Sequence, residues 1–432
     1  PESTGIKGDH FVGKYYVRFD QEFNIEYNEW KSTNKGKEIV DALSKEGQSK
    51  DDFFKKYKNT YFNDFSVLGN QAKDMLLLWE AQDPKIRQLW MMMNCWVYDG
   101  FEDTYDKLGV SFDKLYYESD TYLLGKETVM KGLENGVFYK EEDGSVWIDL
   151  EDVGMDKKIV LRSDGTAVYI TQDIGTAQIR NKEYGVEKMV YVVGDEQDYH
   201  FKVLFEILKK LGEPYTAGLY HLSYGMIDLP TGRMKSREGT VVDADDLVNE
   251  VIEEARKAAS DHGEISTLTT KEQDVILRDI GLAALKFMII KVSPKRRMIF
   301  DPTESVDMQG QTGPYVQNAY VRIKSVLRRK VDNTSLSFEG YSELNIFENT
   351  LLKNIVDYPN VIQDAAKNFD PSAVANYCYN LAKDYHRFYH EVRILTAETQ
   401  EAMAFRLELS NVVALVLKKG MNLLGIEMPE RM

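Results

Sequence analysis

At 432 residues the chain is long enough for about three domains and for more than one hydrophobic core. Apolar residues make up 43%, charged residues 29% and aromatic residues 12%, a globular composition that excludes disordered, collagenous and low-complexity classes. The formal net charge of −16 argues against a uniformly basic nucleic-acid binder, though not against a local basic surface, and two cysteines, Cys95 and Cys378, supply neither a disulfide framework nor a four-cysteine zinc site.

In chain order, the first hundred residues predict helices, with Met75 to Trp79 and Leu89 to Met93 as apolar faces that need a partner. From about Gly109 the texture turns β-prone. Val110 to Tyr117, Gly136 to Tyr139, Gly144 to Leu150 and Lys158 to Leu161 read as short strands of a small sheet. An α/β alternation follows: Ala167 to Ile170 leads into a helix, and Met189 to Val193 is a continuous apolar run ended by Gly194. Next comes a helix from about Asp198 to Leu211, with Phe201, Leu204, Phe205 and Leu208 on one face. Strand, glycine and helix form the crossover unit of an open parallel sheet, whose ligands bind beyond the carboxyl ends of the strands. Leu222 to Ile227 precedes a polar loop, Pro230 to Thr240, and from Ala244 the chain reads as helix nearly to its end. Asn376 to Val392 carries one buried helical stripe, and a terminal helix from about Glu401 to Leu424 stops at Gly425, suited to a C-cap. Ile280 to Ile290, the best candidate for a membrane span, is broken by Lys286 and too short. No secretory signal opens the chain, so a cytoplasmic protein without a membrane partner is expected.

The common signatures G-x-G-x-x-G, Walker A, H-E-x-x-H and G-x-S-x-G are absent, which weakens dehydrogenase, P-loop and hydrolase readings together. His386, His390 and Glu391 have the spacing of a metal site, but their helix is an aromatic core stripe and further ligands are not evident, so no metal is assigned. His10, His221 and His262 have no acid/base pattern beside them and read as structural. Four segments are more informative together. In Val160 to Ile174, Tyr169 and Asp173 stand four apart and would share one side of a helix. A ring face plus a carboxylate suits a guanidinium, the alternative being a core tyrosine and a helix-start acid. In Val193 to Phe201, Gln197 can give two donors and an acceptor to a ligand, or the acids around it can simply cap a helix. Gly232 to Val242 is a basic loop bounded by glycines, suited to a polyphosphate or to solvent. From Lys286 to Lys330, ten Lys and Arg stand against three acids, and around Thr312 to Lys324 aromatic and amide side chains interleave with them. That mixture suits unpaired RNA bases or a surface of ion pairs.

In this order the segments resemble arginyl-tRNA synthetase, a class I aminoacyl-tRNA synthetase family, over nearly the whole chain from Gly8 to Met432. The resemblance implies a Rossmann-type catalytic domain with helical and small-sheet insertions, followed by a helical-bundle anticodon-binding domain. It divides the chain at 1–157 (remainder of the first catalytic half), 158–242 (second half with the signature loop 233–240), 243–300 (stem contacts) and 301–432 (anticodon binding). It implies that Tyr169, Asp173 and Gln197 bind arginine, that Gly194, Tyr224, Gly225, Met226, Ile227, Arg233, Met234 and Gly239 approach ATP, and that Lys235, Ser236 and Arg237 serve catalysis. Tyr315, Gln317, Asn318, Arg322 and Met432 would meet tRNA.

Three departures stand out. The signature loop, usually Lys-Met-Ser-Lys-Ser, reads Arg233-Met234-Lys235-Ser236-Arg237, so Ser236 holds the second lysine position with Lys235 beside it. The anticodon-side pattern Tyr-Val-Gln-Tyr-Ala-His-Ala-Arg reads Tyr315 to Arg322 with Asn318 at the stacking position. No His-x-Gly-His occurs, and the first residue is Pro1, so the expectation is a C-terminal portion, α/β plus all-α with an incomplete catalytic domain, that activates arginine poorly alone. The implied activity is ligation of arginine to its tRNA by a monomer using ATP with Mg²⁺ and no structural zinc. A tRNA-binding module without catalysis is the alternative, and a cysteine-specific class I enzyme is disfavoured by the two distant cysteines.

Overall fold

The computed structural model describes residues 1–121, 124–228, 243–260, 268–329 and 337–432. It divides into two compact units, Pro1–Ser111 with Arg233–Asp246, and Phe112–Gly232 with Leu247–Met432.

The first unit is helical, as its periodicity predicts: α1 (Gly8–Ser32), α2 (Asn34–Leu43), α3 (Lys50–Asp64), α4 (Val67–Glu80) and α5 (Pro84–Leu108). Helix α5 opens where the Asp83 side chain accepts from the Lys85 and Ile86 amides with Pro84 in the first turn, and closes at Gly109, φ 66°. Its core is aromatic, with Phe23, Tyr27 and Tyr61 buried beside Trp30 and Phe65. Helices α1 and α5 meet closely, because a Cβ on Gly8 would lie 2.1 Å from the Trp96 carbonyl oxygen. The apolar runs behave differently from expectation. Met75 to Leu78 and Met91 to Met92 stay exposed, while Trp79 and Trp90 pack together under the Arg87 guanidinium, 3.7 Å from the Trp79 ring centre.

The second unit begins with α6 (Glu118–Thr121) and α7 (Lys126–Glu134). An antiparallel sheet follows, of β1 (Tyr139–Lys140), β2 (Val146–Ile148) and β3 (Lys158–Leu161) in that order. Residues 110–117, expected as a strand, are not one. Lys114 and Tyr116 instead bond the Glu183 carboxylate, and Phe112 and Leu115 are exposed. Next come α8 (Tyr169–Tyr184), β4 (Met189–Gly194), α9 (Asp198–Lys210), β5 (Leu219–Tyr224) and β6 (Ile227–Asp228). β4 and β5 pair in parallel across α9, in register from Met189↔Leu219 to Gly194↔Tyr224. The faces of β4 divide: Met189, Tyr191 and Val193 pack with Phe201, Leu204 and Leu208 of α9, whereas Val192 is 62% exposed.

The remainder is α10 (Ala244–Ser260), α11 (Thr270–Ile290), β7 (Met298–Ile299), α12 (Pro302–Ser305), α13 (Gly313–Arg328), α14 (Ile346–Asn368), α15 (Ser372–Glu391) and α16 (Gln400–Leu423). Capping boxes at Thr269/Glu272 and Asn345/Glu348 start α11 and α14. Helices α13 to α16 share one core, in which the stripe on α15 buries Cys378, Leu381, Ala382, Tyr385 and Phe388. Gly425, φ 67°, follows α16 as expected of a left-handed stop. The bundle also encloses one ion network. Glu348, fully buried, accepts from Arg406 Nε at 2.7 Å, from the Tyr341 hydroxyl at 3.0 Å and from the Asn345 amide at 2.8 Å.

Candidate active site

The parallel pair β4 and β5 ends at Gly194 and Tyr224, where an open α/β sheet places its ligand. Helix α8 starts at Tyr169, two residues before the expected Thr171, so Tyr169 and Asp173 do lie one turn apart on one side. The Thr171 hydroxyl donates to the Val160 carbonyl and ties this turn to β3. Tyr169 is 77% exposed and Asp173 partly exposed, so a ring face and a carboxylate are open to a ligand rather than spent in the core. One oxygen of Asp173 is engaged: Oδ2 lies 2.7 Å from Nε2 of His200, on the first turn of α9. Sequence reasoning passed over His200. It stands three residues after Gln197, and that proximity was the available signal. Gln197 is exposed in the turn Asp195–Gln197 between Gly194 and α9, beside His200 in the chain.

At the strand ends, where ATP-approaching residues are expected, a Cβ on Gly194 would lie 3.8 Å from the Tyr224 ring, and Tyr224 and Met226 are exposed. Gly225 donates its amide to the Pro294 carbonyl at 2.7 Å, and a Cβ there would sit 2.6 Å from the Arg296 carbonyl carbon. This close approach lets Ile227 and Asp228 of β6 pair in parallel with Met298 and Ile299 of β7. Arg297 Nε then reaches to 3.8 Å from Oδ2 of Asp195, joining the 294–297 turn to the end of β4. Gly225→Ala is expected to push the two backbones apart at a cost of about 1–3 kcal/mol, read as a lower unfolding midpoint. The signature-loop residues Arg233, Met234, Lys235, Ser236, Arg237 and Gly239 lie outside the described residues, as does His262.

The residues expected to meet tRNA divide. Gln317 is fully buried, and its amide donates to the carbonyls of Glu427 at 2.8 Å and Asp279 at 3.2 Å, so it ties α13 to α11 and the C-terminal segment and presents nothing to an RNA. Tyr315, half-buried, packs on Tyr379 and His386 with centroids 5.1 and 4.9 Å away. Arg322 donates to Nδ1 of His386 at 3.0 Å and lies 4.9 Å from the Tyr389 ring centre. Asn318 is half-buried on the same helix, and Met432 packs against Ala255, Ile280, Ala284 and Val306. The basic run is partly consumed internally. Lys286 and Lys291 donate to the Gly425 and Gln311 carbonyls, Lys324 pairs with Glu430 at 2.8 Å, and Arg328 donates to the Glu430 carbonyl.

His386 accepts from Arg322 through Nδ1. Burial, helped by Arg322, pushes its pKa down to about 4 from 6.5. A histidine depressed by folding stabilises the fold above its unfolded value and loses that contribution as pH falls through 6.5 towards 4. The bundle is therefore expected to lose about 1 kcal/mol by pH 5, since solvent reaches part of the ring, and His386→Gln should flatten this dependence in thermal melts.

In the first unit, His10 Nε2 lies 3.5 Å from carboxylate oxygens of both Asp243 and Asp245, neighbours that its sequence surroundings do not reveal. Asp9, His10 and Asp245 gather within metal-ligating distance of one another. Asp245 is nevertheless satisfied by Lys7 at 2.5 Å, Lys107 at 2.8 Å and the Thr104 hydroxyl at 3.1 Å. Burial alone would raise its pKa, but the bonds from Lys107 and Lys7 hold it well below the usual carboxylate range. The lysines occupy the place a cation would take. His221 likewise has an acid, Asp198 Oδ1 at 3.3 Å, while its Nε2 lies 3.0 Å from the Val193 carbonyl under β4.

These placements can be set beside known proteins. The family described as tRNA synthetases class I (R), catalytic domain, matches residues 33–301, and the DALR anticodon binding domain matches residues 316–432. An arginine–tRNA ligase of Bacteroides thetaiotaomicron is 48% identical over 435 residues, covering 100% of this chain and 69% of that protein. One from Flavobacterium psychrophilum is 50% identical over 433 residues, covering 100% and 68%. The solved arginyl-tRNA synthetase of Thermus thermophilus superposes with a TM-score of 0.70 at 22% identity, covering 90% of this chain and 72% of that one, and so shares the fold. The strand-end site and the helical bundle thus fall within the two matched segments, and the chain belongs to the arginyl-tRNA synthetase family of class I tRNA synthetases.

Proposed function

We propose that the chain serves, as a portion of its complete natural chain, in activating arginine with ATP and passing the arginyl group to the 3′ end of its tRNA, in the cytoplasm and as a monomer, and that it activates arginine poorly alone. The observation that carries this reading is the open pair at the start of α8, an exposed Tyr169 ring one turn from the Asp173 carboxylate, beside the ends of two parallel strands. A guanidinium can stack on the ring and donate to the acid, while Gln197 on the adjoining turn offers its amide to the α-amino or carboxylate end.

In the first step a carboxylate oxygen of arginine attacks the α-phosphorus of ATP. The new phosphorus–oxygen bond forms as the bond to the bridging oxygen breaks, and pyrophosphate leaves with that electron pair. In the second, a ribose hydroxyl of the tRNA terminus attacks the arginyl carbonyl carbon, its proton is lost, and AMP departs. Positioning supplies most of the acceleration. Gly194, Tyr224, Gly225, Met226 and Ile227 would seat the adenosine at the strand ends, while Arg233, Met234, Gly239, Lys235, Ser236 and Arg237 remain assigned to the phosphates by sequence resemblance. Mg²⁺ would arrive on the phosphates and offset their charge. The Asp9, His10 and Asp245 cluster does not fit it, being neutralised by Lys7 and Lys107. Tyr315, Asn318, Arg322 and Met432 are the residues proposed to face tRNA, within the bundle at 301–432; the signature loop belongs to 158–242 and stem contacts to 243–300.

The test is charging of tRNA with radiolabelled arginine by the complete natural chain. Attachment that needs both ATP and arginine, and falls steeply with salt, supports the reading. Salt-dependent tRNA binding with no arginine attachment, and no thermal stabilisation by arginine, would replace it with a tRNA-binding role alone.

A further inference from the structure

The His200 contact bears on how the arginine acid is set, and the inference rests on the arginine reading above. Asp173 is an ionised acceptor in that reading, so the ring nitrogen 2.7 Å from its Oδ2 must be the donor, Nε2–H. The two residues come from the N-terminal ends of different helices, Asp173 one turn into α8 and His200 on the first turn of α9, 27 positions apart, and both side chains are only partly exposed. Oδ1 of Asp173 has no hydrogen bond among the described residues. The carboxylate torsion is soft, so an unrestrained aspartate at this exposure would sample many orientations. The imidazole removes that freedom and leaves Oδ1 without a hydrogen-bond partner among the described residues.

We propose that His200 is a positioning residue for arginine selection: it takes Oδ2 of Asp173 and leaves Oδ1 for the guanidinium. Asp173 then meets arginine through one oxygen rather than as a two-oxygen fork, and His200 keeps its bond when arginine is bound. It touches neither ATP nor tRNA in this role, so its effect is confined to one substrate.

The test uses His200→Phe and His200→Gln in the complete natural chain, with Asp173→Asn alongside. His200→Phe keeps an aromatic ring and removes the donor, and the arginine KM should rise about tenfold with the ATP KM and tRNA affinity unchanged, as loss of one hydrogen bond at a charged group implies. His200→Gln places an amide donor near the Nε2 position and should bring the arginine KM back to within about threefold. Unchanged arginine KM in His200→Phe, or equal rises for arginine and ATP, would overturn the proposal. If Asp173→Asn itself left the arginine KM at wild type, the arginine reading of the site would fall instead. A measurement independent of turnover, and of whether His200→Phe folds, is the ¹⁵N-imidazole spectrum of the wild-type protein. The His200 Nε2–H resonance should persist when arginine saturates the site, and its disappearance on arginine addition would mean that arginine displaces His200, contrary to the proposal.

Discussion

Asp173→Asn is expected to raise the arginine KM by about 10- to 100-fold while leaving tRNA affinity nearly unchanged, measured by pyrophosphate exchange and by tRNA titration in the complete natural chain. The range follows from losing a charge-assisted hydrogen bond, worth about 1.5–3 kcal/mol, because the one amide oxygen left stays with His200 and the amide nitrogen, a donor, faces the guanidinium. The substitution is nearly isosteric, and His200 Nε2–H can still donate to the amide oxygen, so helix α8 should keep its place. A lowered kcat at constant KM would indicate that Asp173 acts in the chemical step and not in holding the guanidinium.

Arg406→Leu is expected to destabilise the helical bundle by about 3–5 kcal/mol, read as a fall in the denaturation midpoint. Glu348 is fully buried and accepts from Arg406 Nε at 2.7 Å, while the same guanidinium also holds Glu398 and the Arg393 carbonyl, each at 2.8 Å. Leucine fills much of the volume but leaves the buried carboxylate, among the described residues, with the Tyr341 hydroxyl and the Asn345 amide. The double change Arg406→Leu with Glu348→Leu should recover part of the loss, because the stranded charge goes with it. The network joins the entry of α14 to α16, so tRNA binding by the bundle should fall with it in the single variant.

Much of the architecture could be read from local pattern. The stripe on α15 and the stop at Gly425 depend on periodicity and on one left-handed residue, both visible in a single segment. The parallel crossover was legible for the same reason, since an apolar run, a glycine and an amphipathic helix follow one another directly. Residues 110–117 were misread because β-propensity makes a strand only when an edge is there to pair with, and Lys114 and Tyr116 meet Glu183 instead. In the site, the Tyr169 and Asp173 pair is a helical spacing and could be found, whereas the His200 contact joins residues 27 apart and could not. Gln317 misled for a physical reason: on a helix its three- and four-residue neighbours include Tyr320, buried on the inner face, so the amide turns inward to two carbonyls. The basic run from Lys286 overstated the cationic surface because lysines reached backbone carbonyls that no charge count registers. The acids around Asp245 show the converse, carboxylates silenced by lysines far away in the chain.

Arginine recognition by Asp173 is decided by a crystal structure of the complete natural chain with arginine and a non-hydrolysable ATP analogue. A guanidinium nitrogen is expected about 3 Å from Oδ1 of Asp173, the guanidinium plane on the Tyr169 ring, and the adenine at the ends of β4 and β5 by Gly194 and Tyr224. An arginine side chain held by other carboxylates, with Asp173 still bonded to His200 alone, would contradict it.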